Sequence, residues 1–191
     1  MEGDAVAASQ FLPKGQPGTS DRLDVPAYDP ARARALLAEA GYPQGFRIKL
    51  NGPNDRYIND ARIVQAIGQM WTRVGVRTTV EVQPWTTFVG RAGRQDFSAF
   101  LIGWGSNPDG SHPLRNILAT VNRERGWGPS NRGRYSNAQV DALLEQSLTE
   151  MNEPRRQELV IQAQRIAAED VGVIPLHIQT NVWAMRRGIQ H

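Results

Sequence analysis

Apolar and polar positions along this chain change period several times, and each change marks an element. Asp29-Pro30 opens a helix that runs through Leu36 and Leu37 to Ala40 and ends at Gly41. Asp can cap free amides, Pro suits the first helical position, and Gly suits the residue after the last turn. Phe46, Ile48 and Leu50 then alternate with Arg47 and Lys49, which predicts a strand over 46–51 broken by Asn51-Gly52-Pro53-Asn54-Asp55. From about Asn59, Ile63, Ile67, Met70, Trp71 and Val74 follow one helix face, and Gly75 stops it. A second alternation, Val76, Thr78, Val80 and Val82, predicts a half-buried strand over 76–82. A short helix is expected over Thr86 to Gly93. Phe97 to Trp104 is almost unbroken apolar sequence and predicts a strand over 97–104 buried on both faces.

Strand, helix, strand, helix, strand at these lengths predicts an α/β fold, a layered sheet with flanking helices. The second half reads mainly as helices. One is expected around Pro113 to Val121. Another is opened by a Ser136/Gln139 capping box, with Val140, Leu143, Leu144, Ser147, Leu148 and Met151 on one face. A third starts at Asn152-Pro154 and turns Leu159, Ala163, Ile166 and Ala167 inward. The last two should pair antiparallel. Val173 to Leu176 and Asn181 to Met185 read as late strands, the first made irregular by Pro175. Residues 1–28, rich in Gly, Pro and small polar side chains, read as an extended lead-in.

Composition narrows the chemistry. The 191 residues contain no Cys, which excludes thiol catalysis, Cys-based zinc sites and haem attached through Cys. The 22 basic residues outnumber the 19 acidic ones by three, and all but Lys14 and Lys49 are Arg. The arginines are scattered or paired, as at Arg155-Arg156 and Arg186-Arg187, and form no block, so nucleic acid is not an expected partner. No apolar run approaches the roughly 18–20 residues that span a bilayer. Met1-Glu2-Gly3-Asp4 is acidic with no apolar stretch behind it, so the chain as written is expected to carry no export signal.

Catalytic and cofactor motifs are missing. There is no HExxH, GxSxG, P-loop or GxGxxG. His112 and His177 could be metal ligands or ordinary loop and strand-end histidines, and neither a metal nor a cofactor is expected. Gly126 to Gly133 could cradle an anion or be a plain loop. Asp109 and Asp141 have no base or nucleophile to work with, so an enzyme is a distant reading. The loop after Trp104 is more informative. An aromatic ring at the end of a strand, followed by Gly105-Ser106-Asn107-Pro108-Asp109-Gly110, suits a small-molecule cleft in which Trp104 supplies apolar contact and Asn107 or Asp109 a hydrogen bond. The alternative is that Trp104 is core and the rest a turn. Trp85, after Pro84 at a strand end, raises the same choice.

In order along the chain, Tyr28-Asp29-Pro30 through Ala40-Gly41-Tyr42, Trp71 to Val76, Pro84 to Phe88, Asp96 to Trp104, Tyr135-Ser136-Asn137 with Asp141 to Leu144, and Ile174-Pro175-Leu176 resemble landmarks of one family. They are similar to the C-terminal lobe of family 5 extracytoplasmic solute-binding proteins of ABC importers, the oligopeptide, dipeptide and nickel class. The resemblance covers about residues 3–188. It implies one lobe of a two-lobed, type II periplasmic-binding-protein-like fold. It also implies binding of a peptide-like or other small solute without chemistry, delivery to the transmembrane permease subunits, and a periplasmic or extracytoplasmic location for the intact protein.

On this resemblance residues 1–28 are a hinge or lead-in and 29–188 the lobe, with the N-terminal lobe and signal peptide absent. Trp104, Asn107, Asp109, Trp85 and Asn51 are the implied ligand-binding residues. Asn107 stands where peptide binders commonly place an Asp, and Leu101 where oligopeptide binders place an Arg, so charge for a peptide's amino group is missing there. A solute-sensing domain of a transcription regulator is the alternative the resemblance leaves; no helix-turn-helix accompanies it here.

Overall fold

A computed structural model of the chain describes residues 5–105, 110–180, 184–186 and 188. The first strand, β1 (Ala5–Ala7), pairs antiparallel with the last, β5 (His177–Gln179), with Val6 opposite Ile178. The lead-in is therefore not loose. Ala8 and Leu12 are buried, and the buried Gln10 side chain bonds Ser20 through both its amide and its carbonyl. The Gln10 carbonyl also accepts from Gln164 at 2.9 Å. A Gly- and Pro-rich segment reads as extended locally, but these long-range bonds fold it onto the helices. The late strand also moves. Residues 173–176 are irregular, the pairing falls on 177–179, and residues 181–183 of the second expected late strand lie outside the described residues.

The first helix forms as its end signals dictate. α1 (Pro30–Glu39) is capped by Asp29, whose carboxylate accepts from the Arg32 amide at 2.8 Å, and Gly41 takes a left-handed φ of 86°. It buries none of its residues. Next come β2 (Arg47–Pro53), α2 (Asp60–Arg73), β3 (Arg77–Gln83), α3 (Trp85–Gly93) and the short β4 (Ala99–Phe100). They form a parallel sheet in the order β3-β2-β4. The three predicted strands thus share one sheet.

Two details differ from the sequence reading. β2 does not break at Asn51 but continues through Gly52 to Pro53, all of them buried, because it is the central strand and Val82 and Gln83 remain opposite. β4 is only two residues long and half-buried. An apolar run suggests a strand buried on both faces, but this one lies at the edge of the sheet and pairs with β2 alone.

α2 and α3 cover opposite faces of the sheet. α2 buries Asp60, Val64 and Gly68 most deeply against the sheet, and Ile63, Ile67, Trp71 and Val74 of the expected face are half-buried beside them. Gly68 and Gly52 allow this, because a Cβ on either would stand within 2.5 Å of Val80 or Val64. Met70 is left exposed.

The rest of the chain is helical. α4 (Ser111–Ile117), α5 (Ala138–Thr149) and α6 (Glu153–Glu169) enclose Leu114, Leu118, Val140, Leu144, Val160 and Ala163. Three residues join α5 to α6, which makes the expected antiparallel pair. The Ser136 capping box does not form. Asn137 is the cap and accepts from the Gln139 and Val140 amides, while Ser136 Oγ pairs with Thr120 Oγ1. Leu148 and Met151 continue the apolar spacing of α5, yet both are exposed, Met151 because the helix ends at Thr149. The Gly126–Gly133 loop is fastened by Trp127, buried among these helices, and by Asn131, whose amide bonds the Ala119 and Tyr135 carbonyls.

One polar contact ties the two ends of this helical layer together. Asp170 Oδ2 accepts from Tyr135 Oη and Asn137 Nδ2, each at 2.7 Å. Those donors, the Tyr135 hydroxyl first, hold the Asp170 carboxyl below its ordinary value of 3.8. Burial, with Asp170 second, pushes the Tyr135 phenol well above its usual range. A lowered acid adds stability above its unfolded pKa and loses it as pH falls through the folded one. We therefore expect Asp170→Asn to melt below the parent at pH 7. The gap should close on acidification below about pH 4, the ordinary Asp range. Melts across pH check this, and a gap that persists undiminished at the lowest pH counts against it.

Candidate functional site

The carboxyl end of a parallel sheet gathers the loops that leave its strands. Here β2 ends in Asn51-Gly52-Pro53 and enters the loop 54–59. A single carboxylate shapes that loop: Asp60 accepts from the Arg56 amide at 2.9 Å, the Tyr57 amide at 3.0 Å and the Ala61 amide at 2.7 Å. Asp55 reaches in the other direction and accepts from the Trp85 amide at 2.7 Å. It thereby caps α3, whose N-cap position is Pro84 and offers no side-chain oxygen.

These bonds bring aromatic rings together. Tyr57 meets Trp85 edge-on, with centroids 6.0 Å apart, and Trp85 stacks on the buried Phe88 at 5.8 Å. Tyr57 Oη donates to the Gly103 carbonyl at 3.3 Å, which joins the loop to the segment after β4. A Cβ on Gly103 would lie 2.7 Å from the Tyr57 ring, so no other residue fits there without displacing it. The Arg56 guanidinium lies 5.3 Å from the Trp85 ring and 5.6 Å from Tyr57. It pairs with no acid among the described residues. Trp104 follows Gly103, 37% exposed, with its ring 6.0 Å from that of His112.

Three of the sequence-predicted residues thus fall at one end of the sheet. Asn51 is 2% exposed in the central strand, and its Oδ1 is a buried acceptor with no hydrogen-bond partner among the described residues. Trp85 starts α3. Trp104 lies beyond β4, exposed as a surface ring and not packed as core. Asn107 and Asp109 lie outside the described residues. His112 is on α4 and His177 on β5, and no group of three metal-binding side chains occurs among the described residues.

Sequence reading missed Asp55, Arg56 and Tyr57. Asn54-Asp55 carried only a turn signal, and nothing local indicates that the loop folds back onto Trp85.

A family described as bacterial extracellular solute-binding proteins, family 5 Middle, matches residues 1–125, well over half of the sequence. The chain belongs to this family. Among its family 5 relatives it is 32% identical over 184 residues to heme-binding protein A of Haemophilus influenzae, covering 92% of this chain and 32% of that protein. It is 29% identical over 192 residues to di/tripeptide-binding protein 1 of Pseudomonas aeruginosa, covering 98% and 35%. The structure of HbpA2 from Haemophilus parasuis superposes with a TM-score of 0.82 at 26% identity, covering 93% of this chain and 35% of that one. The chain therefore spans about a third of the length of these relatives.

Proposed function

We propose that the carboxyl ends of β2, β3 and β4 form one wall of the cleft in which a family 5 solute-binding protein holds its solute for a bacterial ABC importer. Residues 29–188 act as one lobe and 1–28 as its lead-in from the hinge. The solute is bound without chemistry, outside the cytoplasm, and passed to the permease.

One observation carries this reading. The Arg56 cation is laid across the Tyr57 and Trp85 rings, with no acidic partner among the described residues. Aromatic faces hold a guanidinium in place while leaving its N–H groups free for an oxyanion. Two of the relatives are named for heme and for di- or tripeptides, both of which carry carboxylates. A solute carboxylate on Arg56, ring contact with Trp85 and Trp104, and polar contact from the Asn107–Asp109 loop make a coherent half-site. Asn51 Oδ1 adds a buried acceptor that a donor from the solute would satisfy.

NMR titration of the chain with a tripeptide and with its C-terminal amide tests this. The free acid should bind more tightly and shift the Trp85 and Trp104 indole signals. Arg56→Ala should weaken the acid by about tenfold or more, as expected for a charge-assisted hydrogen bond, and leave the amide nearly unchanged. Equal affinity of parent and variant for the acid would remove the carboxylate assignment.

A further inference from the structure

The spacing of α5 places Leu148 one turn after the buried Leu144, on the same side of the helix, yet Leu148 is 49% exposed. It lines a cavity of about 380 Å³ bounded by the lead-in and by α4, α5 and α6. That volume is within the roughly 300–1,000 Å³ of small-molecule sites.

Gly18, Gly110 and Val160 close one side of the cavity by tight packing. A Cβ on Gly18 would stand 2.9 Å from Val160 Cγ1, and one on Gly110 would stand 3.0 Å from the Gly18 Cα. The lead-in therefore lies directly against α6 and the start of α4. The Gln164 side-chain amide also donates to the Gly18 carbonyl at 3.4 Å. The cavity is thus a fixed feature of the fold and not a gap between loose segments.

Its wall divides into apolar and charged parts. Pro17, Leu148 and Val160 are apolar. Arg115 of α4 and Arg156 of α6 bring positive charge, and Glu153 is the one acid in the lining. Glu153 is already engaged. One carboxylate oxygen pairs with Arg156, and the other accepts from Gln157 Nε2 at 2.9 Å. The charges of Glu153 and Arg156 therefore cancel. Arg115 is half-buried and pairs with no carboxylate among the described residues. One uncompensated guanidinium is left beside an apolar wall, and a partly buried guanidinium gains most from a carboxylate.

We propose that this cavity binds a small organic monoanion of the short-chain carboxylate class. Its carboxylate lies on the Arg115 guanidinium and its alkyl group against Leu148 and Val160. The site shares no residue with the candidate cleft, so it does not rest on the carboxylate assignment at Arg56.

NMR titration of the chain with sodium hexanoate, sodium acetate and hexanamide tests this. Hexanoate should shift the Leu148 methyl and Gln157 side-chain amide signals and saturate in the millimolar range. Acetate has no methylenes to lay on Leu148 and Val160 and should bind at least about tenfold more weakly. Hexanamide has the same shape without the charge and should also be weaker than hexanoate by about tenfold. Arg115→Gln should weaken hexanoate by that same factor, and leave both hexanamide binding and the tripeptide shifts at Trp85 and Trp104 unchanged. Leu148→Ser, at an exposed position, should bring hexanoate down toward acetate, read at Gln157. Hexanoate taken up in the cleft would shift the Trp85 and Trp104 indoles instead of Leu148 and Gln157. No saturable shift at Leu148 and Gln157 at tens of millimolar hexanoate overturns the proposal. So does a shift there that survives Arg115→Gln, or equal affinity for hexanoate and hexanamide.

Discussion

By themselves, the 191 residues should bind a di- or tripeptide no more tightly than about millimolar. The same residues joined to the rest of a family 5 protein should bind at least a hundredfold more tightly. The physical reason lies in what the half-site leaves open. Arg56 and Trp104 are exposed, and Trp85 is only half covered. Water therefore competes for every polar contact a solute makes there. The chain spans about a third of its relatives' length, so a second wall of the cleft can come from the remainder. Two or three hydrogen bonds at roughly 1 kcal/mol each, added by that wall and shielded by closure, amount to a hundredfold or more. Calorimetry on the chain and on a fusion to the other two thirds of a relative measures both numbers. Micromolar binding by the chain alone would mean that its wall is already a complete receptor site.

Phe88→Ala should be the most damaging single change to both the fold and the site. Phe88 is fully buried and sits at the centre of the α3 face, 5.1 Å from the Phe97 ring and 6.4 Å from Phe100. It is also the surface on which Trp85 rests. Removing a buried Phe costs about 3–5 kcal/mol, a large part of the 5–15 kcal/mol that holds a typical domain folded. At about 2–4 °C per kcal/mol for a chain of this size, the Tm should fall by roughly 10 °C. Trp85 and the Arg56 side chain stacked on it should lose their fixed geometry. Phe88→Leu, which keeps most of the volume, should recover much of the stability but not the ring stacking. A melt of Phe88→Ala within about 2 °C of the parent would show that α3 does not depend on this ring.

How much of this was legible in the sequence can be judged element by element. α1 forms where Asp29, Pro30 and Gly41 place it, because capping and left-handed φ are decided within a few residues. β2 and β3 follow their alternation of period two, since that pattern already separates the α2 face from the other. The β-α-β order and the aromatic ends at Trp85 and Trp104 were readable for the same reason.

Other features depended on partners distant in sequence, and only the tertiary structure decided them. The run 97–104 has the composition of a central strand but lies at the edge, because strand order is set by which chain segment pairs with β2. The lead-in is ordered by Gln164, more than 150 residues away. Arg56 gains its place over Trp85 only when Asp55 caps a helix thirty residues later. Arg47 and Arg77, thirty residues apart in sequence, come opposite each other only through the register that the close approach of Gly45 to Gly75 fixes. Local hydrogen bonding and hydropathy period are properties of a short segment. Register, burial and charge proximity are properties of pairs of segments, and they exist only once the chain has folded.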